Sequence, residues 1–385
     1  MKQGWEIKKL GEVCEFSQGI QVPIEEQHNK CEEGMIRFLR IIDFTQDGEI
    51  PRYVYNVGER YILHDNETAI VRYGTPGFVC YGKYGIIANN LFKILPKQNI
   101  FHTPFLRYWL KSNAFQGVIR GAKYGVALQA IKFSTISSIP IPVPPLKEQE
   151  RIVEELDCLS GVIEKKREQL KHLDALAQSI FYQMFGDPIT NEKGWEVKKL
   201  GEVCDVRDGT HDSPKYLENS DYVLVTSKNI TSDRDIDFTT ANYISKEDYD
   251  AINKRSYVDF GDIIMAMIGT IGKPIIVKET SRKFCIKNVA LIKFEDSTSV
   301  TNTYIQALLS NNSYASYIQG NNKGGTQKFI ALGTIRKLLT PIPPLALQQE
   351  FADKIEAIEK QKVLIKKSIS ETETLFNARM DYYFN

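Results

Sequence analysis

The two halves of the chain open with nearly the same thirteen residues. Residues 4–16 read GWEIKKLGEVCEF and residues 194–206 read GWEVKKLGEVCDV, so ten of the thirteen positions are identical. The spacing of 190 residues is about half of the 385-residue chain. Solenoid repeats have periods of about 20–50 residues, so this spacing indicates a duplicated domain. A chain of two like halves is expected to perform one task at two places.

The duplication also marks the end of each half. Residues 121–145 read GAKYGVALQAIKFSTISSIPIPVPP and residues 320–344 read GNNKGGTQKFIALGTIRKLLTPIPP, with aligned glycines, Thr-Ile pairs and closing prolines. The interiors share only short echoes, such as Asn89 with Asn288. Drift after duplication accounts for this pattern. A fixed frame that carries two different recognition surfaces accounts for it as well.

A long helical pattern follows the proline cluster of each half. Residues 146–185 and 345–384 carry apolar residues at heptad-like steps, with charged residues on the other faces. Each helix would be about 60 Å long at ~1.5 Å per residue, and neither can bury its apolar stripe alone. We expect the two helices to pair with each other. Separate docking of each helix onto a globular domain is the alternative.

The order of these segments predicts how the helices run. Gly186-Asp187-Pro188 ends the first helix, and the second half begins a few residues later. Since the second half then leads directly into the second helix, paired helices must be antiparallel. We therefore predict an α+β protein with a pseudo-twofold internal repeat, in which the helical pair separates two globular domains. The boundaries are 1–145 and 187–344 for the globular domains, and 146–186 and 345–385 for the spacer helices.

Short apolar and aromatic runs predict mixed strands and helices inside each half. The strand-like runs are Phe38–Ile42, Thr68–Tyr73, Gly85–Leu95, Tyr222–Thr226, Asp262–Ile268 and Asn288–Phe294. The helical patterns are Phe105–Val118 and Thr303–Ile318.

The charge distribution indicates an anionic partner, although the net charge is only +1. Residues 1–145 carry 17 basic and 13 acidic residues, and the stretch from Thr68 to Pro145 holds nine Lys or Arg and no acid. The stretch from Ser297 to Pro344 is also free of acid and holds four cations. A basic face on part of each domain is the footprint of phosphate binding. The alternative is that these blocks of sequence form no patch in space.

The remaining composition favours a cytoplasmic protein. No apolar run is long enough to span a membrane, and the N-terminus has no signal-peptide core. The six cysteines are scattered without a CxxC pair, which fits a reducing compartment. Cys14 and Cys204 occupy the same repeat position, and we expect both to be small buried apolar residues.

Glycine-rich loops with basic, amide and tyrosine side chains predict contact with DNA. Glycine lets the backbone approach closely, Lys and Arg contact phosphates, and Asn, Gln and Arg read base edges. Such loops are also ordinary turns, so their recurrence at matching repeat positions carries the argument. The candidate DNA-binding residues are Arg72, Thr75, Lys83, Tyr84, Arg120, Lys123, Tyr124, Lys132, Lys228, Thr270, Lys273, Lys287, Lys323, Thr326, Gln327 and Lys328.

Motifs for catalysis are missing from the sequence. His211 lies beside carboxylates in Asp208–Pro214, but the first half has Gln18–Gln21 at this place, so an active site would not be shared. We interpret Asp208–Pro214 as a turn held by side-chain hydrogen bonds. We find no P-loop, dinucleotide fingerprint, metal-ligand pair or methyltransferase-type Asn/Asp-Pro-Pro-aromatic tetrapeptide. The sequence predicts no catalytic residue and no metal site.

Taken together, these motifs resemble the DNA-specificity (S) subunits of Type I restriction–modification systems over the whole chain. The resemblance is carried by the repeated Gly-Trp-Glu-x-Lys-Lys-Leu-Gly-Glu-Val, by Asp208–Pro214, by Gly269-Thr270-x-Gly272, and by the Pro-Pro-Leu-x-x-Gln exits at Pro144–Gln149 and Pro343–Gln348. The chain departs from the pattern at Gln18–Gln21 and at Ala346-Leu347.

The resemblance implies a non-catalytic subunit with two target-recognition domains. Each domain would read one part of a bipartite site in double-stranded DNA, and the two helices would dock two modification (methyltransferase) subunits. Methylation and cleavage would come from these and from restriction subunits, which would use S-adenosylmethionine, ATP and Mg, while this chain would hold no cofactor. The alternatives are a specificity chain for a standalone methyltransferase or another restriction class, an enzyme with an unrecognised site, and a coiled-coil scaffold without DNA contact.

Overall fold

The computed structural model describes residues 5–97, 100–121, 131–231, 234–268, 274–278, 281–294, 299–320 and 330–385. The chain divides into two compact units. Unit 1 comprises residues 1–167 and 366–385, and unit 2 comprises residues 168–365. Each unit therefore contains one globular domain and a segment of both long helices.

Unit 1 is built on two four-stranded sheets. The strands are β1 (Glu6–Lys9), β2 (Cys14–Gln18), β3 (Met35–Leu39), β4 (Arg52–Tyr55), β5 (Ile62–Leu63), β6 (Thr68–Val71), β7 (Val79–Tyr81), β8 (Gly85–Ile87), β9 (Leu91–Pro96) and β10 (Pro140–Val143). The helices are α1 (Leu10–Val13), α2 (Ile42–Thr45), α3 (Thr103–Lys111), α4 (Asn113–Gly121), α5 (Phe133–Ser137) and α6 (Leu146–Phe185), of which residues 146–167 belong to unit 1. The sheet orders are β2-β9-β6-β7 and β4-β3-β8-β5, with β3 and β8 parallel.

Unit 2 repeats this plan with a smaller second sheet. Its strands are β11 (Glu196–Lys199), β12 (Asp205–Asp208), β13 (Tyr222–Thr226), β14 (Asn242–Tyr243), β15 (Ile263–Ala266), β16 (Pro274–Ile276), β17 (Lys283–Lys287), β18 (Val289–Lys293) and β19 (Leu339–Ile342). Its helices are α7 (Leu200–Val203), α8 (Lys246–Ser256), α9 (Asn302–Ser310), α10 (Asn312–Gly320), α11 (Leu332–Arg336) and α12 (Leu345–Phe384), of which residues 345–365 belong to unit 2. The sheet orders are β12-β18-β15-β16 and β14-β13-β17, with β13 and β17 parallel.

The repeated borders of each half pair with each other. Strand β1 is antiparallel to β10 with Glu6 opposite Val143, and β11 is antiparallel to β19 with Glu196 opposite Ile342. The register is the same in both units. The start and the end of each half therefore form one two-stranded ribbon, which explains why both borders are alike while the interiors differ.

A one-turn helix after the entry strand follows the same plan in both units. In α1 the Glu12 carboxylate accepts a hydrogen bond from the backbone N of Lys9 at 3.0 Å, and in α7 Glu202 accepts from Lys199 at 2.9 Å. These bonds satisfy amides that the helix itself leaves without partners. The repeated Lys-Leu-Gly-Glu motif thus encodes a capped turn.

The two long helices begin and end as predicted, and they are antiparallel. In unit 1, Glu155 accepts from Arg379 at 3.0 Å, whereas Arg167, further along α6, contacts the earlier Glu373 of α12 at 2.6 Å. In unit 2, Lys362 contacts Asp174 at 2.9 Å. The predicted α+β class, internal repeat and paired helices are confirmed.

A buried glutamine fixes the start of each long helix to its domain. Gln149 is fully buried; its Oε1 accepts from the His102 backbone N at 2.9 Å, and its Nε2 donates to the carbonyls of Ile100 and Pro144. Gln348 is also fully buried and makes the same three bonds, with Thr301, Ser299 and Pro343. This is the structural reason for the glutamine in both Pro-Pro-Leu-x-x-Gln exits.

Both copies of the repeated tryptophan lie at a helix end. Trp195 donates from Nε1 to the carbonyl of Phe185, the last residue of α6, at 2.9 Å. Trp5 packs against the core cluster that includes Met380 and Phe384 near the end of α12. The entry motif therefore meets a helix end in each unit.

Two segments predicted as helical are helical, but each is divided into two helices. Phe105–Val118 is divided between α3 and α4 at the buried Ser112, and Thr303–Ile318 is divided between α9 and α10 at Asn311. The Asn311 Oδ1 accepts from the backbone N of Ser313 at 3.0 Å, so this side chain caps a new helix. The predicted strand Gly85–Leu95 is likewise two strands, β8 and β9, joined at residues 88–90.

Cys14 and Cys204 are buried, as predicted, and burial raises the pKa of each thiol to about 12. None of the helices in the described part of the chain is long and apolar enough to cross a membrane.

Candidate nucleic-acid interface

Several loops of unit 1 meet where neighbouring strands end. The backbone N of Ile20 donates to Ile87 O at 3.0 Å, which places the loop after β2 beside the connection between β8 and β9. Arg72 N donates to Asn90 O at 2.8 Å and Ile131 N donates to Arg72 O at 3.0 Å. We call residues 18–21, 72–75, 89–90 and 131–132 the strand-end cluster of unit 1.

A glycine holds the equivalent loop in each unit. A Cβ on Gly19 would lie 2.2 Å from Ala88 O, and a Cβ on Gly209 would lie 2.2 Å from Ile286 O. Any larger residue would push the loop away from the neighbouring strand. Glycine at this position thus gives both units the same backbone geometry, whatever side chains follow.

The polar side chains of the unit 1 cluster form a chain of hydrogen bonds. The Tyr73 hydroxyl donates to Asn89 Oδ1 at 3.1 Å, and Asn89 Nδ2 donates to Gln21 Oε1 at 3.1 Å. Gln18 Nε2 donates to the backbone O of Asn89 at 3.2 Å. Asn89 therefore connects the loop after β2 with the turn after β6.

Unit 2 has the same arrangement of loops with different side chains. Thr210 N donates to Ile286 O at 3.0 Å, and the parallel strands β13 and β17 bring Thr226 opposite Lys287. Lys228 follows β13 at this same end. We call residues 208–213, 227–228 and 287–288 the strand-end cluster of unit 2.

His211 is the centre of the unit 2 cluster. Its Nδ1 lies 2.8 Å from Asn288 Oδ1 and its Nε2 lies 3.0 Å from Asp208 Oδ2, while Arg255 pairs with the other oxygen of Asp208. The hydrogen bond to Asn288 and then the one to Asp208 raise the pKa of His211 above its ordinary value. The interpretation of Asp208–Pro214 as a turn held by side-chain hydrogen bonds is confirmed.

Four candidate residues of unit 1 are brought close together. Arg72, Thr75 and Lys132 belong to the strand-end cluster, and Thr75 and Lys132 are exposed. Arg120 is exposed on α4, which packs beside the turn after β6 because Gln116 Nε2 donates to Gly77 O at 2.9 Å.

Lys83 and Tyr84 lie elsewhere. They follow β7 at the end opposite the turn after β6, because β6 and β7 form an antiparallel ladder. Lys83 donates to the backbone O of Asp43, and Tyr84 packs against His64 with ring centroids 5.6 Å apart. The sequence motif placed them with the other loops, but strand pairing separates them.

Lys228 and Lys287 are the candidates of unit 2 that the structure describes, and both lie in its strand-end cluster. Lys228 is exposed, and Lys287 Nζ donates to Ser213 Oγ. The other candidates lie outside the described residues: Lys123, Tyr124, Thr270, Lys273, Lys323, Thr326, Gln327 and Lys328.

Several cations of the acid-free block of unit 1 are engaged within the fold and do not contribute to the predicted basic face. Lys93 is buried and its Nζ donates to Ile62 O at 2.6 Å. Lys97 donates to Glu12 O at 2.9 Å, and the guanidinium of Arg107 lies 4.7 Å from the Tyr81 ring centroid. Because carbonyls and an aromatic ring hold these cations, their role is to support the fold.

The sequence prediction missed the amides and the histidine at the centre of both clusters. The residues missed are Gln18, Gln21, Asn89, Asp208, His211 and Asn288. The signal that could have identified them is the repeated Asn89 and Asn288, which survive in interiors that otherwise differ. In the described part of the chain, no group of three or more His, Cys, Asp or Glu side chains could hold a metal ion.

Comparison with known proteins identifies this architecture. The family described as Type I restriction modification DNA specificity domain matches residues 2–172 and again residues 192–374, one match for each repeat. The chain belongs to this family. It is a specificity subunit of the Type I restriction–modification class, and DNA recognition is the function of the class.

Relatives in this family resemble the chain over most of its length. The MjaVIII specificity subunit of Methanocaldococcus jannaschii is 22% identical, with 93% of this chain and 86% of the relative covered. The EcoBI specificity subunit of Escherichia coli is 20% identical, with coverage of 95% and 81%.

Solved structures share the fold of this specificity subunit. The S subunit of the Type I restriction–modification system from M. genitalium superposes with a TM-score of 0.54 at 14% identity, covering 98% of this chain and 95% of that one. A chain solved in work on complex assembly and conformational transition of the type I R-M system gives 0.58 at 17% identity, with coverage of 100% and 98%.

Proposed function

We propose that the chain recognises a bipartite target in double-stranded DNA, with one globular domain reading each part, and that it directs methylation and cleavage by partner subunits. One observation carries this proposal. The two units share a frame, namely the entry–exit ribbon, the capped turn and the buried glutamine, yet they present different polar side chains at the same strand ends. A constant frame with different exposed groups suits two readers of different sequences.

The exposed groups at the strand ends fit the chemistry of DNA. Arg120, Lys132 and Lys228 are exposed cations that can contact phosphates and so position the domain. The amides of Gln21 and Asn288 lie among them and can contact base edges. The proposed readers are residues 1–145 and 187–344.

Exposed apolar side chains on the long helices fit docking of partner helices. Leu364 on α12 is 67% exposed and Val363 is 63% exposed in unit 2, and Leu375 is 50% exposed in unit 1. A paired helix in water gains nothing from such residues, whereas burial of one Leu contributes about 1.5–3 kcal/mol. We propose that modification subunits dock here, two to a chain, and that restriction subunits complete the complex.

The chemistry is proposed to belong to those partners. In this proposal the chain supplies no catalytic residue and binds no cofactor, while S-adenosylmethionine, ATP and Mg are used by the modification and restriction subunits. The cytoplasm, where these partners meet DNA, is the proposed location.

Genome-wide methylation mapping tests the proposal. In cells that contain the modification partner, we expect a bipartite methylated motif that disappears when the gene for this chain is deleted. Replacement of residues 1–145 by those of another family member should change one part of the motif, and replacement of 187–344 should change the other. A change of both parts by either exchange would contradict the assignment of one reader to each half.

A further inference from the structure

We propose that Gln21 in unit 1 and Asn288 in unit 2 determine target specificity, each by donating hydrogen bonds from an outward-facing side-chain amide to a base edge. This inference rests on the proposed function and names the reading group in each strand-end cluster. It follows from the direction of the hydrogen bonds around the two amides.

In unit 1 a relay of donors fixes the orientation of Gln21. The Tyr73 hydroxyl donates to Asn89 Oδ1, and Asn89 donates from its Nδ2 to Gln21 Oε1. With its carbonyl oxygen engaged, Gln21 turns its Nε2 away from Asn89. Gln21 is exposed, and no acceptor for this Nε2 occurs among the residues that the structure describes.

In unit 2 His211 fixes the orientation of Asn288. A protonated imidazole donates from Nε2 to the Asp208 carboxylate and from Nδ1 to Asn288 Oδ1. Asn288 then presents Nδ2 outward, and this group too has no acceptor within the described ranges. The backbone φ of Asn288 is +53°, a left-handed conformation that asparagine tolerates better than most residues.

An amide that offers only its NH2 group prefers a particular base edge. A glutamine or asparagine with both ends free contacts adenine with one donor and one acceptor. The oxygens of Gln21 and Asn288 each already accept one hydrogen bond from the protein, which holds them inward, so the group that each amide presents outward is its NH2. Two N–H groups match neighbouring acceptors, and guanine presents two of them, N7 and O6, in the major groove. Guanine is therefore the expected partner of both amides.

His211 is a positioning residue, and its protonation sets what Asn288 can offer. Neutral His211 keeps its proton on Nε2 for the Asp208 carboxylate, so Nδ1 becomes an acceptor. Asn288 then turns its Nδ2 inward and presents Oδ1 outward. The charged groups around His211 are Asp208 on β12, Arg255 on α8, Lys287 on β17 and Asp212 in its own loop.

The pH dependence of this contact has a definite sign. The raised pKa of His211 means that the outward NH2 of Asn288 is maintained at low pH and is lost as the pH rises through that pKa. The unit 1 relay consists of a tyrosine and two amides and contains no histidine. Recognition by unit 1 therefore serves as the internal control.

The experiment uses the full chain with its modification partner and the duplex found by methylation mapping. Binding is measured to this duplex and to every single-base-pair variant of it. Gln21→Glu replaces the NH2 group by an oxygen acceptor, and we expect it to reduce discrimination at one base pair of one half-site by about ten-fold or more. Asn288→Asp should do the same at one base pair of the other half-site. Tyr73→Phe, which only loosens the relay, should reduce discrimination at the Gln21 position by less.

Matched controls separate base reading from added charge and from misfolding. Gln46→Glu in unit 1 and Asn242→Asp in unit 2 add the same charge at exposed positions outside the clusters, and both should leave discrimination unchanged. Uniform weakening on all duplexes by Gln21→Glu would mean a phosphate contact and would overturn the assignment. Unchanged discrimination would overturn it too. If the wild-type chain does not distinguish the mapped duplex from a scrambled one, the proposed function itself fails.

The role of His211 has its own readout. Between pH 6 and pH 9, wild-type discrimination at the Asn288 position should fall while discrimination at the Gln21 position stays constant. In His211→Gln the profile should be flat, because no titrating group then sets the amide. A flat wild-type profile would overturn the positioning role of His211.

Discussion

The two units close the same helix junction with different chemistry. In unit 2 the junction is aromatic: Phe351 lies 5.2 Å from Phe185 and 5.9 Å from Phe181 between ring centroids, and Tyr304 lies 4.9 Å from Phe185. In unit 1 Ile152 occupies the place of Phe351, and Phe105 packs on Phe384 at 5.3 Å.

Unit 1 adds a polar network in place of the missing rings. Arg379 contacts Glu155 from α12 to α6, and the Tyr383 hydroxyl donates to the same carboxylate at 2.6 Å. The hydrogen bond from Arg379, against the opposing effect of burial, lowers the pKa of Glu155. The frame therefore depends on strand register and the buried glutamine, which both units share, whereas the packing that fills the junction differs between them.

The largest expected effect comes from breaking the aromatic junction. Phe351→Ala removes a fully buried ring, and we expect it to lower the free energy of unfolding of unit 2 by about 4 kcal/mol. Hydrogen exchange of peptides from each unit measures this separately. Ile152→Ala, the matched change in unit 1, should cost less. Phe260→Ala, at a 73% exposed ring, should cost almost nothing, and an equal loss there would show that ring deletion acts indirectly.

The buried glutamines should behave alike in both units. Gln149→Ala and Gln348→Ala each leave two carbonyls and one backbone N–H without their buried partner, and we expect each to destabilise its own unit by about 2–3 kcal/mol. The amides of His102 and Thr301 should lose protection from exchange. Gln349→Ala is the control, since Gln349 is exposed and, within the described residues, its side-chain amide bonds Asp353 alone. Clearly unequal losses would contradict a shared frame.

Acid should affect the junction of unit 1 more than that of unit 2. Because the folded pKa of Glu155 is lowered, its contribution is present above its unfolded pKa of about 4.3 and is lost as the pH falls through the folded value. We expect Glu155→Gln to destabilise unit 1 by about 1 kcal/mol at pH 7 and by less at about pH 3, which lies below the unfolded pKa. Unfolding by urea at both pH values, read by exchange in each unit, checks this. A pH-independent effect would contradict the ionic origin.

The smallest expected effect concerns the exposed cations at the strand ends. Arg120→Ala and Lys228→Ala should each weaken DNA binding on all sequences and reduce the slope of log affinity against log salt by about 1. Lys360→Ala is the control, because Lys360 is at an exposed helical position and pairs with Glu356; it should leave the slope unchanged. An unchanged slope in Arg120→Ala would place Arg120 outside the interface.

Several elements could be predicted from local pattern. The bounds of α6 and α12 followed from heptad steps and proline clusters, because the contacts that shape a helix join residues three or four apart. The strand Tyr222–Thr226 was predicted with its observed bounds. The breaks at Ser112 and Asn311 were missed, since an apolar helical pattern continues across them and a single polar side chain decides the capping.

The candidate site was predicted less well than the frame. The sequence grouped Lys83 and Tyr84 with Arg72 and Thr75 as candidates. Because β6 and β7 form an antiparallel ladder, the first two residues lie at the opposite end of it from the other two. Lys93 counted as a surface cation in the sequence, yet its Nζ is held by a backbone carbonyl inside unit 1. Neither fact has a local signature, because both depend on which strands pair.

The sequence alone was enough to predict a duplicated chain with two α+β halves and two long helices. It also carries the motifs of its family. Periodicity, proline clusters and repeated borders are properties of neighbouring residues, so they can be read along the chain. The tertiary structure was needed to show that the entry and exit strands share one ribbon. It was also needed to show which side chains meet at the strand ends: Gln21, Asn89 and Tyr73 in unit 1, and Asp208, His211 and Asn288 in unit 2. The bonds Asn89–Gln21 and His211–Asn288 join residues 68 and 77 positions apart, and hydrogen bonds over such separations form only after strand register has been set.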